Sequence, residues 1–452
     1  MLHNPDTKFT LGNNWILRSD PYYSSKKYSV YNIKNRIILY ISAPCYTLLN
    51  ILKRIPLSYN EIEKILSRKN IKFDWDGFEK ICNSSQVADL LINSTLPFKQ
   101  TNSFNNEYDF SYLNIPITSS PIDIELHFTH KCNLKCPHCF QSSSPTSQIY
   151  KELNINEWIK IFDQFEENKV QNVTISGGEP LLYKDFSNLF NILVKKKLNF
   201  SVLTNGTLVS KDNIESLSNP NVSLTISLDG CSEEMHDKIR GHGSFKRVIT
   251  NIRALVEHGA NVSLAYTINS YNYSYIKEAI LLACNLGVEG IVFAFTDEIG
   301  RAKENSYLLI SSSQRAKVID EYKKIKREFK GSVNLDFADL SFMKGSYSNL
   351  IYCAAGTTRA TVSAEGKLYP CVTAFGYDEF IIGDLTKESL QDIWRKKEEW
   401  SLFRGAIKIE DLKECNVCSL NKCCTQKNCR LKSYAINKSL YNKPLECPAN
   451  YC

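Results

Sequence analysis

The chain has 452 residues, a formal net charge of +7, 43% hydrophobic residues and 16 cysteines. No apolar run approaches a membrane span, no basic block of nucleic-acid-binding type stands out, and the start Met1-Leu-His-Asn-Pro-Asp6 lacks a basic or apolar export region. A cytoplasmic chain with neither membrane nor nucleic acid as partner is expected, and cysteines in that setting read as metal or redox ligands rather than a disulfide framework.

In chain order, Tyr28–Ile33 and Arg36–Ile41 read as short strands. Leu48, Leu49, Ile51 and Leu52 mark a helix, and Ser58 caps a second one. A third is expected from about Asp76 to Cys82, and Val87–Ile92 as a closing strand. Residues 96–120 are polar and bracketed by prolines, which is linker composition. From 121 to 342 strands alternate with helices. Ile122–Thr129, Val173–Ile175, Val202–Thr204, Ser223–Leu228, Val262–Tyr266 and Gly290–Phe295 are the strands. Asn154–Glu167 is an amphipathic helix with Trp158, Ile161, Phe162 and Phe165 on one face. Phe245–Glu257 and Tyr275–Leu286 are further helices. Repeated βα units imply an α/β fold of parallel strands.

Cys132-Asn-Leu-Lys-Cys136-Pro-His-Cys139 follows the first of these strands. Three thiols at this spacing can bind three irons of a cubane cluster and leave the fourth open, whereas an electron carrier closes its cluster with four cysteines. Cys136-Pro-His-Cys139 alone is also a dithiol motif of thioredoxin-like oxidoreductases, and zinc would need a fourth ligand. Cys132, the strand before it and the glycine turns beyond it favour the cluster. The spacing resembles the signature of the radical S-adenosylmethionine (SAM) enzymes. The resemblance implies a partial (β/α)6 barrel, with the cysteine loop at the C-terminal strand ends where such barrels keep their active sites. It also implies a [4Fe–4S] cluster whose open iron holds SAM, and an electron donor of flavodoxin or ferredoxin type.

Several residues fall where that family contacts SAM. Gly177, Gly178 and Glu179 in Ser176-Gly-Gly-Glu-Pro180 match the motif along the methionine amino group. His138 stands where an aromatic residue commonly meets the adenine; a histidine there can stack, and is equally read as a solvated loop residue. Asn205 of Thr204-Asn-Gly206 matches the end of the third strand. Ser227 and Arg240, in Ser227-Leu-Asp-Gly230 and His236-Asp-Lys-Ile-Arg240, match the residues expected at the SAM carboxylate and ribose. A surface salt bridge is the alternative for Arg240.

Residues 343–452 hold a second cysteine-rich region, which resembles the SPASM domain and its two auxiliary [4Fe–4S] clusters. By that pattern Cys353, Cys371 and Cys429 hold the first cluster with three ligands, and Cys415, Cys418, Cys424 and Cys447 close the second. Either Cys423 or Cys452 completes the first, or its iron is open to a substrate thiolate. Two zinc sites suit the Cys-x2-Cys spacing equally well. Cys45, Cys82, Cys231 and Cys284 read as buried small hydrophobes.

Residues 1–95, strands followed by small helices, resemble the PqqD-like winged-helix element with which peptide-modifying enzymes grip a leader peptide by adding it to a sheet edge. A packing domain without a ligand is the alternative. Together the three regions resemble the subtilosin-type sactipeptide maturases, which link a cysteine sulfur to an α-carbon of a ribosomally made precursor. Formylglycine-forming sulfatase maturases, carbon–carbon peptide cyclases, tetrapyrrole-modifying enzymes and non-catalytic iron–sulfur or zinc peptide-binding proteins are the competing readings. The sequence nominates no general base.

Overall fold

The computed structural model describes residues 7–20, 27–85, 87, 89–93, 115–147, 151–338, 353–419 and 429–443. The chain divides into two compact units, Met1–Ser120 and Pro121–Cys452. Among the described residues no helix is long and apolar enough to cross a membrane.

The first unit has six strands: β1 (Lys8–Leu11), β2 (Trp15–Ser19), β3 (Tyr28–Asn32), β4 (Ile38–Tyr40), β5 (Leu57–Ser58) and β6 (Leu91–Asn93). They form two antiparallel sheets in the orders β5-β1-β6 and β2-β3-β4. Its helices are α1 (Ala43–Leu52), α2 (Tyr59–Arg68) and α3 (Trp75–Cys82). Each starts at a side chain that accepts a hydrogen bond from an otherwise unpaired first-turn N–H. These are Ser42 for α1, Asp74 for α3, and for α2 the reciprocal Ser58–Glu61 box. Phe9, Leu17, Val30, Leu49, Leu52, Ile62 and Leu66 fill the core between them. The expected closing strand starts only at Leu91, because Val87 and Leu90 donate to Ser84 and Val87 carbonyls in a turn. The tail of the expected linker is fastened rather than loose. Ile115 and Ile117 are buried, Ser119 N donates to Asp20 Oδ1 at 2.9 Å, and Arg18 donates to the Ser120 carbonyl.

The second unit is built on one open sheet. Its strands are β7 (Asp123–His127), β8 (Asn172–Ser176), β9 (Asn199–Thr204), β10 (Val222–Ser227), β11 (Asn261–Ile268), β12 (Gly290–Phe295), β13 (Asn334–Phe337), β14 (Arg359–Val362), β15 (Lys367–Tyr369) and β16 (Gly383–Asp384). The order is β13-β12-β11-β10-β9-β8-β7-β14-β15-β16. Neighbours from β13 to β14 are parallel, and β15 and β16 turn back antiparallel. The expected partial barrel is present, extended by β13 at one edge and by β14 against β7. Helices α4 (Ile155–Glu167) and α5 (Phe186–Leu193) join the first strands, α6 (Ile214–Leu217), α7 (Glu233–Arg240) and α8 (Ser244–Glu257) the next, and α9 (Ile276–Leu286) and α10 (Ser312–Glu328) the last. Trp158, Ile161, Phe162 and Phe165 of α4 are all buried, as their spacing requires.

Strand parity defines the two faces of this sheet. Phe200 of β9 touches Phe162 of α4 and Phe190 of α5, so its face meets the helices. Val173 and Ile124 share its register and are fully buried. Thr174, Ser201, Thr225, Ser227 and Ser263 occupy the opposite parity and are only half-buried. Small polar side chains on that inner face leave room for a ligand. Of the four cysteines expected to be buried, only Cys45 is; Cys82, Cys231 and Cys284 are half-buried.

Candidate functional site

The cysteine loop leaves the C-terminal end of β7 and is clamped from two sides. On one side, Gly178 N donates to Thr129 O at 2.9 Å and Glu179 N to Lys131 O at 2.8 Å. A Cβ on Gly178 would lie 2.0 Å from Lys131 O, so no other residue permits this approach. On the other side, Arg301 donates to the Cys136 and Ser143 carbonyls at 2.5 Å each, and its backbone N to Cys139 O at 3.0 Å. Gly300 before it has φ +62, and its Cβ would meet Phe140 O at 2.2 Å.

Cys132 and Cys136 are buried and Cys139 half-buried. Burial pushes the Cys132 thiol up to about 11. Donors already face its sulfur, with Leu134 N at 3.4 Å and Asn205 Nδ2 at 3.8 Å. Burial also raises the Cys136 thiol, and Arg240 and Arg301 pull it the other way.

The remaining site residues gather around Asp229, which is fully buried. Its Oδ2 receives Arg240 Nε at 2.6 Å and lies 3.2 Å from His138 Nε2, while Oδ1 accepts Thr267 N at 2.8 Å. Burial alone would raise this carboxyl, but Arg240 and His138 outweigh it and hold it well below the usual carboxylate range. His138 is therefore an enclosed partner of Asp229, not a solvated loop residue, and Arg240 is a buried ion pair, not a surface one. Ser227 stands half-buried at the end of β10 on the inner face.

Glu179 turns its carboxylate toward groups of the protein itself. It is fully buried, and its oxygens accept Thr204 Oγ1 at 2.7 Å, Asn205 N at 2.8 Å and Leu181 N at 3.1 Å. Its carboxylate ties β9 to the glycine turn and so sets Asn205 beside Cys132.

A second group of thiols lies in the same unit. Cys353, Cys371 and Cys429 line one pocket with Phe403, Ile407 and Leu431. Burial and the neighbouring thiols push Cys353 up to about 11 and Cys371 up to about 12. Cys415 is buried and Cys418 N donates to its carbonyl at 3.2 Å. Cys423, Cys424, Cys447 and Cys452 lie outside the described residues. Asp297, beyond β12, pairs with Lys432 at 2.7 Å, and Lys303 donates to Ala435 O at 2.6 Å. The stretch from Asp297 to Lys303 thus holds the Cys132–Cys139 loop through Arg301 and the helix Arg430–Asn437, which follows Cys429, through its two ends.

Residues 126–283 match the radical SAM superfamily, and residues 353–424 match the SPASM iron–sulfur cluster-binding domain. The chain is a radical SAM protein with a SPASM domain. It is 28% identical over 277 residues to the antilisterial bacteriocin subtilosin biosynthesis protein AlbA of Bacillus subtilis, covering 61% of this chain and 59% of AlbA. It is 27% identical to the AdoMet-dependent heme synthase of Methanosarcina barkeri, over 71% of this chain and 94% of that protein. The sporulation killing factor maturation protein SkfB of B. subtilis is 27% identical, over 60% of this chain and 64% of SkfB. The match thus spans less than two thirds of either Bacillus maturase. In fold, the chain is similar to Streptococcus suis SuiB bound to SAM, with TM-score 0.72 and 17% identity over 96% of this chain and 98% of SuiB.

The residues present fit the groups that these domains carry. Three thiols on a doubly clamped loop, with donors facing a sulfur, suit a [4Fe–4S] cluster with one open iron. The inner face provides the small, half-open surface that SAM needs beside it. The SPASM domain implies auxiliary clusters, and Cys353, Cys371 and Cys429, half-buried and lining one pocket, are the donors that would hold one. Metal binding takes the proton from a thiol, which offsets the raised values of the Cys353 and Cys371 thiols.

Sequence reading passed over three residues of this site. Asp229 stood inside a quoted motif, but nothing local showed that it joins His138 to Arg240. Gly300 and Arg301 follow the last inner strand without periodicity or spacing to mark them.

Proposed function

We propose that the protein is a maturase of a ribosomally made precursor peptide and that it installs a thioether, or a related crosslink, from a cysteine of that peptide. Cys132, Cys136 and Cys139 would hold the cluster that binds SAM, and SAM would supply there a 5′-deoxyadenosyl radical able to take a hydrogen atom from the acceptor residue. The observation that carries the reading is the second group of three thiols, Cys353, Cys371 and Cys429, half-buried around one pocket in the same compact unit. Joining a peptide thiol to the carbon radical would release one proton from the sulfur and one electron, and a cluster held by Cys353, Cys371 and Cys429 would supply the acceptor for that electron. Residues 1–95 serve as the leader-recognition domain in this reading, 96–120 as the connection, 121–342 as the radical SAM core and 343–452 as the auxiliary-cluster domain. β4 supports leader binding, being an edge strand among the described residues with Ile38 exposed. SAM contacts are assigned to His138, Gly177, Gly178, Asn205, Ser227 and Arg240.

The test is incubation of the reconstituted enzyme with SAM, a low-potential reductant of flavodoxin or ferredoxin type and a cysteine-containing precursor encoded beside its gene. A loss of about two hydrogens from the peptide, without oxygen gain, is expected of a crosslink. Conversion of cysteine to an aldehyde would establish formylglycine formation instead. SAM cleavage with an unchanged peptide would overturn the reading.

A further inference from the structure

The turn that follows β9 aims a side chain at the cysteine loop. Gly206 has φ +72, and a Cβ there would meet Ile226 Cγ2 at 2.6 Å. Its N donates to Thr204 Oγ1 at 3.0 Å, and its carbonyl accepts Asn251 Nδ2 of α8 at 2.7 Å. Asn205, buried on this turn, accepts Thr207 N at 3.0 Å and Thr207 Oγ1 at 2.6 Å through its Oδ1. A backbone N–H can only donate, so the oxygen end of the Asn205 amide is fixed and its NH2 faces the other way. Nδ2 donates to Asn133 Oδ1 at 2.9 Å and to Cys132 Sγ at 3.8 Å, a reach that the large sulfur atom allows. Asn133 donates in turn to Thr207 Oγ1 at 2.8 Å and closes the ring.

A thiol sulfur is a weak acceptor, whereas a sulfur bound to iron carries negative charge and accepts a stronger, charge-assisted bond. One electron added to a cubane cluster increases that charge, and hydrogen bonds to the sulfurs set the potential at which the electron enters. Leu134 N, at 3.4 Å from the same sulfur, belongs to the cysteine loop itself. Asn205 comes from another strand end and is aimed by side chains, so this donor can be removed without rebuilding the loop.

We propose that Asn205, by donating to Cys132 Sγ, raises the reduction potential of the Cys132/Cys136/Cys139 cluster and so sets how strong an electron donor the enzyme needs. One electron passes from the flavodoxin- or ferredoxin-type donor to the cluster, no proton moves, and the N–H favours the reduced side. Asn133 and Thr207 are positioning residues that act through Asn205. The role is separate from the SAM contact assigned to Asn205 and holds whichever peptide is modified.

The experiment is a potentiometric titration, followed by electron paramagnetic resonance, of wild type, N205A, N133A and T207V. Each is reconstituted and matched for iron, and KM for SAM is measured beside it. The signal that changes when SAM is added marks the cluster in question. N205A is expected to lower its midpoint, so that the ratio of reduced to oxidised cluster at a fixed potential falls about tenfold, or about 59 mV for one electron. N133A and T207V loosen the amide without touching the sulfur, and each should lower the same ratio about threefold. A wild-type or raised midpoint in N205A overturns the inference. A raised KM for SAM at a wild-type midpoint also overturns it, by placing the side chain on the cofactor alone. Should N205A fail to hold the cluster, N133A and T207V decide, and wild-type midpoints in both overturn it. A lowered midpoint in an enzyme that leaves every precursor unmodified supports this role and counts against the peptide reading only.

Discussion

Glu179 and His236 show how single buried groups hold the site from behind. Glu179 accepts three hydrogen bonds with no exposure to water. Glu179→Gln keeps the shape but turns an NH2 toward groups that are themselves donors. The expected cost is about 1–3 kcal/mol of stability, read as a lower denaturation midpoint, with faster loss of iron because Asn205 shifts from Cys132. His236 is fully buried and its Nδ1 accepts Asp229 N at 3.2 Å, which only a neutral ring can do. Burial, with Arg240 adding to it, lowers its value to about 4. Between the ordinary value of 6.5 and about 4 the unfolded chain takes up a proton that the folded chain refuses. Stability is therefore complete above pH 6.5 and is lost as pH falls toward 4, by on the order of 3 kcal/mol. His236→Asn retains an acceptor without titrating, and urea unfolding across this window should show a shallower loss than in wild type.

At the scale of elements, the segments after the strands matter more than the strands. Gly300→Ala puts a methyl group 2.2 Å from Phe140 O at a left-handed backbone position. It should displace Arg301 from the cysteine loop and lower iron by about four per chain, the content of one cubane cluster. In the first unit, Val30 and Leu39 pair within β3 and β4, as do the flanking Asn32/Ile37 and Tyr28/Ile41. The alternate residue Ile38 therefore turns its backbone N–H outward. Ile38→Pro keeps those flanking pairs and removes that donor, so precursor binding by calorimetry should weaken about tenfold if the edge receives a leader strand. The βα alternation, the helix α4 and both cysteine groups were legible because periodicity and spacing are local. β14 was not, because its partner β7 lies far away in sequence and Arg359–Val362 has no turn that announces the pairing. Arg301 was hidden for the same reason, since its partners are backbone carbonyls that any sequence offers. The hydrogen bonds of Glu179 were not legible because a motif tells which residue is present and not which way its carboxylate points.

Across the second unit, the stretch Asp297–Lys303 touches both thiol groups, beside a direct contact in which Gln141 Nε2 donates to the Val372 carbonyl at 3.1 Å. Both ends grip the helix after Cys429, and the middle grips the carbonyls of Cys136 and Cys139. Ordering that stretch costs conformational entropy once, whichever group is metallated first. The second insertion then meets a lining already in place, so iron uptake should be cooperative. Native mass spectra during stepwise reconstitution should show fewer half-loaded chains than independent filling predicts, and Asp297→Asn should bring them back. Oxygen damage would run the same way in reverse: loss of one cluster would loosen the seat of the other, and the protein would pass from fully armed to empty with little time spent between.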